Sequence, residues 1–198
     1  MATAAKPAAA GHRARLTGGL ATAIAEKGYA AVTIADVVRV ARVSKRTFYE
    51  HFPDKEACFL ALYAETSDEL IELIATTAAE ADGSWGERIH AAASAYFERV
   101  AGEPELMRAA LLEIRAAGPR GRELRREVQR RYADQLRVFS EAAGAEEPGI
   151  RPLSPALATA VVGGLNELML DAVESGQEAR MGELADAATE LIRAVLGR

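Results

Sequence analysis

The chain has 198 residues, 49% of them hydrophobic, enough to bury a sizeable core without disulfides, and its single cysteine excludes an internal one. Abundant Ala, 6% aromatics and seven prolines favour helices over sheets, so an all-α fold is expected. The formal net charge of −5 hides an asymmetry: residues 1–58 hold nine Lys and Arg against five Asp and Glu, a local excess compatible with nucleic-acid binding.

Residues 1–11 read as a disordered arm rich in Ala, without the compact apolar region of a secretory signal. Lys6, with Arg13 and Arg15 beyond it, either follows a DNA minor groove or belongs to a frayed tail. A first helix is expected over residues 12–27, with Leu16, Leu20, Ala23 and Ile24 on one face and Gly28 as its C-cap. A short second helix follows, capped by Thr33 with Asp36 answering three residues on, and carrying Ile34, Val37, Val38 and Ala41 on its apolar face. Ser44 is a good N-cap for a third helix from Lys45 to about His51. On it Phe48, with Val43 before and Phe52 after, points to a core, leaving Lys45, Arg46 and Tyr49 free to read something.

Pro53 and Asp54 break that helix and open a fourth, running toward Ala81 with Phe59, Leu62, Tyr63, Leu70, Leu73 and Ile74 inward. Ser84 and Glu87 form a capping box for a fifth. The sixth spans about 104–117, and the charged seventh about 120–143. Residues 144–153 form the clearest loop; Ser154 and Pro155 then open the eighth helix, which extends to Gly176. The ninth covers about 180–196. No stretch approaches about 18 uninterrupted apolar residues, so a soluble, cytoplasmic protein without a membrane partner is expected. Cys58, beside Phe59 and Leu62, reads as a small buried hydrophobe.

The run Gly28, Tyr29, Thr33, Val37, Ala41, Val43, Ser44, Thr47, Phe48, Tyr49, His51, Phe52, Lys55 resembles the TetR family of bacterial transcription regulators, whose motif covers about residues 23–59 here. Two positions depart from it: most members carry Gly where this chain has Arg42, and Ala where it has Val38. The resemblance implies an N-terminal three-helix helix-turn-helix domain over 12–53 and a six-helix ligand-binding and dimerisation domain over 54–198. Lys45, Arg46 and Thr47 are then the candidates for base contacts in the major groove, with Arg46 suited to paired bonds to guanine. By resemblance Tyr49, His51 and Lys55 hold phosphate oxygens; Thr33 and Ser44 add hydroxyl contacts or act only as caps.

The family pairs its last two helices with those of a second subunit, which places Leu157, Val161, Gly164, Leu165, Leu168, Leu184 and Leu191 at a homodimer interface or, alternatively, in the monomer core. It also encloses a small-molecule pocket, for which Tyr63, Tyr96, Met107, Leu111, Phe139 and Asn166 are the candidates. The arginines from Arg120 to Arg131 invite an acidic ligand, but interleaved with Glu123, Glu127 and Asp134 they read as a solvated face. His12, His51 and His90 are dispersed and neither a phosphate loop nor HExxH occurs, so no catalytic residue, metal or cofactor is expected. The reading is a repressor released from a palindromic operator by a small molecule. The alternatives are a nucleoid-type binder without an effector and, more weakly, an enzyme using the C-terminal cavity.

Overall fold

A computed structural model describes residues 5–197, with the side chains of residues 5–10, 178 and 179 left out of account. Within them are nine α-helices and no strand: α1 Ala5–Ala31, α2 Ile34–Ala41, α3 Lys45–His51, α4 Lys55–Glu80, α5 Trp85–Ala101, α6 Pro104–Ala116, α7 Gly118–Glu146, α8 Pro155–Glu174 and α9 Leu184–Leu196. A 3₁₀ segment, Glu178–Glu183, leads into α9 where the periodicity predicts its first turn. The chain divides into two compact units, one of residues 1–66 with 105–121, the other of residues 67–104 with 122–198. The residues of α4 are therefore shared between them, and α6 falls almost wholly in the first.

In the first unit α1 begins at Ala5, so residues 5–11 extend the helix where the composition suggests an arm. Residues 1–4 of that arm lie outside the described residues. At Gly28 the backbone turns to φ 73°, ψ 152°, a conformation open to glycine, and the helix kinks before one last turn. Leu16, Leu20, Ala23, Ile24, Val37, Phe48 and Cys58 are fully buried around this unit's core. Each large side chain among them contributes roughly 1.5–3 kcal/mol relative to exposure. Gly19, a weak helix former by propensity, has a packing reason. A Cβ there would lie 2.9 Å from the Val37 carbonyl oxygen and 3.0 Å from the Ala41 Cβ, so α1 and α2 meet nearly backbone to backbone. Asp54 caps α4 by accepting from the Ala57 amide at 2.7 Å. Burial pushes the Cys58 thiol up to about 12.

In the second unit Ile89, Ala133, Ala143, Ile150, Leu153, Ala158, Val161, Ile192 and Leu196 form a core, with Trp85, Leu136 and Phe139 packed on it. The loop after α7 is anchored from inside: fully buried Ser140 donates to the Arg137 carbonyl at 2.7 Å and accepts from the Leu153 amide at 3.0 Å. Both polar groups are thereby satisfied away from water. Ser84 and Glu87 make the expected capping box on α5, and those bonds from Ser84 hold the Glu87 carboxyl below its ordinary value.

Candidate nucleic-acid interface

The helix-turn-helix is built from reciprocal local bonds. Thr33 caps α2 through the Asp36 amide at 3.3 Å, while the Asp36 carboxylate accepts from the Thr33 amide at 2.9 Å and from its hydroxyl at 2.5 Å. Lys27 adds an ion pair to Asp36 at 2.6 Å. These hydrogen bonds, from Lys27 first and Thr33 next, hold the Asp36 carboxyl well below the usual carboxylate range.

The turn after α2 answers the question raised by the missing glycine. Arg42 occupies the left-handed region at φ 53°, ψ 48°, and it is the one positive-φ residue other than glycine among those described. For a side chain with a Cβ that conformation costs about 1 kcal/mol. Its amide still bonds Arg39 and the Val43 amide bonds Val38, so α2 closes as a glycine-ended helix does. Arg15 reaches across from α1: its Nη2 donates to the Ala41 carbonyl at 2.6 Å and to the Arg42 carbonyl at 2.8 Å. Arg13 lies 4.7 Å over the Phe52 ring and pairs with Glu65 at 3.8 Å. Both arginines are thus engaged with the folded unit, a correction to the frayed-tail reading for these two residues; the side chain of Lys6 lies outside the described residues.

On α3 the faces separate as their spacing demands. Phe48 is fully buried, 5.9 Å from Phe52 ring to ring, while Tyr49 is 56% exposed and packs edge-on against Phe48. Lys45 is exposed, and the Arg46 side chain is 90% exposed, with its Nε donating to Glu50 at 3.1 Å. Glu50 is a further polar residue of this face, and its i,i+4 spacing from Arg46 is the local signal for the pair. Ser44 caps α3 through the Thr47 amide at 3.0 Å, and the two hydroxyls lie 2.9 Å apart. The Thr47 hydroxyl is therefore turned back to the cap, leaving Lys45 and Arg46 as the outward donors. His51 stands edge-on to His12 at 6.2 Å.

Lys55 has a second occupation. Its ammonium donates to the Tyr29 and Val32 carbonyls, each at 2.9 Å, and sits 4.2 Å from the Tyr29 ring centroid. It ties the start of α4 to the bend between α1 and α2 with two of its three donors. Burial pushes this ammonium below its ordinary range and Glu113 opposes the shift. Burial, with the Glu113 carboxylate next, raises the Tyr29 phenol to about 12.

The remaining candidates fall elsewhere. Tyr63, Met107 and Leu111 belong to the first unit, and Tyr96, Phe139 and Asn166 to the second. Tyr96 donates to the Met169 sulfur at 3.7 Å and meets Tyr132 edge-on at 6.1 Å. An open groove of about 900 Å³ between α5 and α9 is lined by Trp85, His90, Asp186, Thr189 and Arg193 among others, and by none of the six pocket candidates. Along α7, Arg131 pairs with Asp68, and Arg137 with Asp134 and Glu141, much as a solvated face would. On α8, Leu157 is 48% and Leu168 43% exposed, and Gly163 and Gly164 are open between them. Leu165, Leu184 and Leu191 are half-buried. Val161 departs from the interface expectation: at 3% exposure it packs in the core of its own unit, the alternative role.

Residues 20–62 match the family model described as bacterial regulatory proteins, tetR family. A TetR-family transcriptional regulator from Pectobacterium atrosepticum is similar over 99% of this chain and 98% of its own, with 25% identity and a TM-score of 0.77. The fatty acid degradation regulator FadR from Bacillus halodurans shares the fold at 20% identity and TM-score 0.77, over 94% of this chain and 97% of its own. FadR from Bacillus subtilis, solved in complex with stearoyl-CoA, does so at 22% and 0.74, over 90% and 96%. A comparison with curated proteins gave no match.

Proposed function

We propose, from the premise that this chain belongs to the TetR family of bacterial transcription regulators, that it represses from a palindromic operator as a homodimer and is released by a small-molecule effector. Membership makes it a DNA-binding transcription factor and not an enzyme. The observation that carries the operator reading is the division of α3: Phe48 is buried to the last atom while Lys45 and Arg46 in its first turn and Tyr49 in its second face outward. Arg46 and Lys45 suit guanine acceptors, and the Tyr49 hydroxyl, the His51 imidazole and the third donor of Lys55 suit phosphate oxygens. Thr33 and Ser44 serve first as caps, with backbone contacts as their second role. A single short helix reads too few base pairs to be selective, which favours two heads on a two-fold site.

The exposed apolar face of α8 supports the homodimer. This helix is long and apolar enough to cross a membrane, yet only 28% of its most apolar 18-residue stretch is buried within the chain. A second copy covering Leu157, Gly164 and Leu168 accounts for that surface in a cytoplasmic protein. For the effector, the stearoyl-CoA bound by the Bacillus subtilis FadR makes acyl-CoA thioesters the first class to try. Binding to the C-terminal region would act on DNA through α4, whose residues run through both units, by a difference in effector affinity between DNA-competent and released states.

The test is selection of the purified protein on a randomised duplex library, followed by footprinting and titration with acyl-CoA. A short palindrome protected by a dimer and released by the thioester supports the whole reading. A palindrome indifferent to thioesters removes that effector class, and no enriched sequence overturns the operator.

A further inference from the structure

We infer that Arg15 is a positioning residue for DNA reading: it locks the left-handed turn at Arg42 and so fixes the direction in which α3 leaves α2. This rests on α3 being the DNA-reading helix. Arg15 and Gly19 are one turn apart on the same face of α1. Gly19 lets α1 approach α2 until a Cβ would stand 2.9 Å from the Val37 carbonyl. That approach delivers the Arg15 guanidinium to the C-terminal end of α2, where the last carbonyls have no partner within the helix. Its Nη2 takes two of them, Ala41 at 2.6 Å and Arg42 at 2.8 Å, and its charge meets the negative end of the helix dipole.

The bonds fall where the backbone needs them. Arg42, at φ 53° and ψ 48°, holds a conformation that glycine takes freely and a residue with a Cβ resists. Ser44, the cap of α3, is two residues on, so relaxation of Arg42 into a right-handed conformer would swing the whole reading helix. In this chain a distant cation does for the turn what a glycine does through its own backbone freedom. The DNA-facing role weighed for Arg15 from the sequence gives way to one inside the unit, 27 residues away along the chain.

The experiment is a double-mutant cycle of Arg15→Met and Arg42→Gly, read by operator affinity across a salt series and by hydrogen exchange of the DNA-free protein at the Arg42 and Val43 amides. Arg15→Met is expected to weaken operator binding about tenfold at unchanged salt slope and to speed exchange at both amides. In the Arg42→Gly background the same change is expected to cost about threefold or less, because glycine needs no lock. An equal loss in both backgrounds, or a salt slope shallower by about one, would make Arg15 a phosphate ligand and overturn the inference. Unchanged affinity and exchange would overturn it too. Should Arg15→Met fail to fold, Arg15→Lys keeps the charge without the fork and is expected to show a smaller loss with the same glycine rescue; absence of rescue counts against the lock. If the parent protein selects no DNA at all, it is the operator reading that fails, and the exchange cycle still decides whether Arg15 holds the turn.

Discussion

In the first unit the helix ends are tied by cations from distant parts of the chain, Arg15 on the Ala41 and Arg42 carbonyls and Lys55 on those of Tyr29 and Val32. In the second the loop after α7 is held by a neutral bond, Ser140 to Leu153, and the long-range cations Arg88 and Arg131 pair with the side chains of Glu146 and Asp68 and not with helix-end carbonyls, while an apolar face of α8 stays open at Leu157 and Leu168. The contrast separates two demands. A reading head has to present a few side chains in a fixed direction, which directional bonds to helix ends secure. The face proposed to meet a second subunit has to be covered by another molecule, which exposed apolar surface invites and directional bonds do not.

Breaking the core beneath the reading head has the largest expected effect. Phe48→Ala empties a fully buried site and is expected to cost about 3–5 kcal/mol, measured by urea unfolding. Leu168→Glu leaves the fold alone but places two carboxylates in the proposed interface. The dimer dissociation constant should rise about a hundredfold, roughly 3 kcal/mol, in analytical ultracentrifugation. If the variant stays dimeric, α8 is not the covered face. Ser140→Ala strands the Leu153 amide away from water and should lower stability by about 1–3 kcal/mol in the same unfolding assay.

The smallest effect sharpens the electrostatic half of the comparison. Asp36 is held below its ordinary value of 3.8 when folded, so the unfolded chain takes up the proton first as pH falls. The stability it contributes is complete above that value and is lost as pH drops through the lowered folded one. An acid unfolding titration should therefore be shallower below pH 4 for Asp36→Asn than for the parent.

What could be read from the chain follows the reach of the interactions. The caps at Thr33, Ser44 and Ser84, the buried face of α3 and the break at Gly28 are set by residues three or four apart, and all were legible as local patterns. The second occupation of Lys55 and the attachment of Arg15 join residues 26 and 27 positions apart, and no periodicity carries that information. Arg42 lies between: the missing glycine raised the question of the turn, and only the carbonyls held by Arg15 answer it. For Val161, an apolar position on a helix with two apolar faces, spacing alone could not choose between core and partner, and the packing of its own unit decided.

Cys58 turns the first unit into its own clock. It is the chain's one thiol, fully buried, with its sulfur 3.9 Å from the Leu16 carbonyl. A thiol reagent can modify it only when the packing around it opens, so the labelling rate reports openings of the first unit without any added probe. Slower labelling on operator DNA would measure, in time units, how firmly the bound duplex keeps that unit closed.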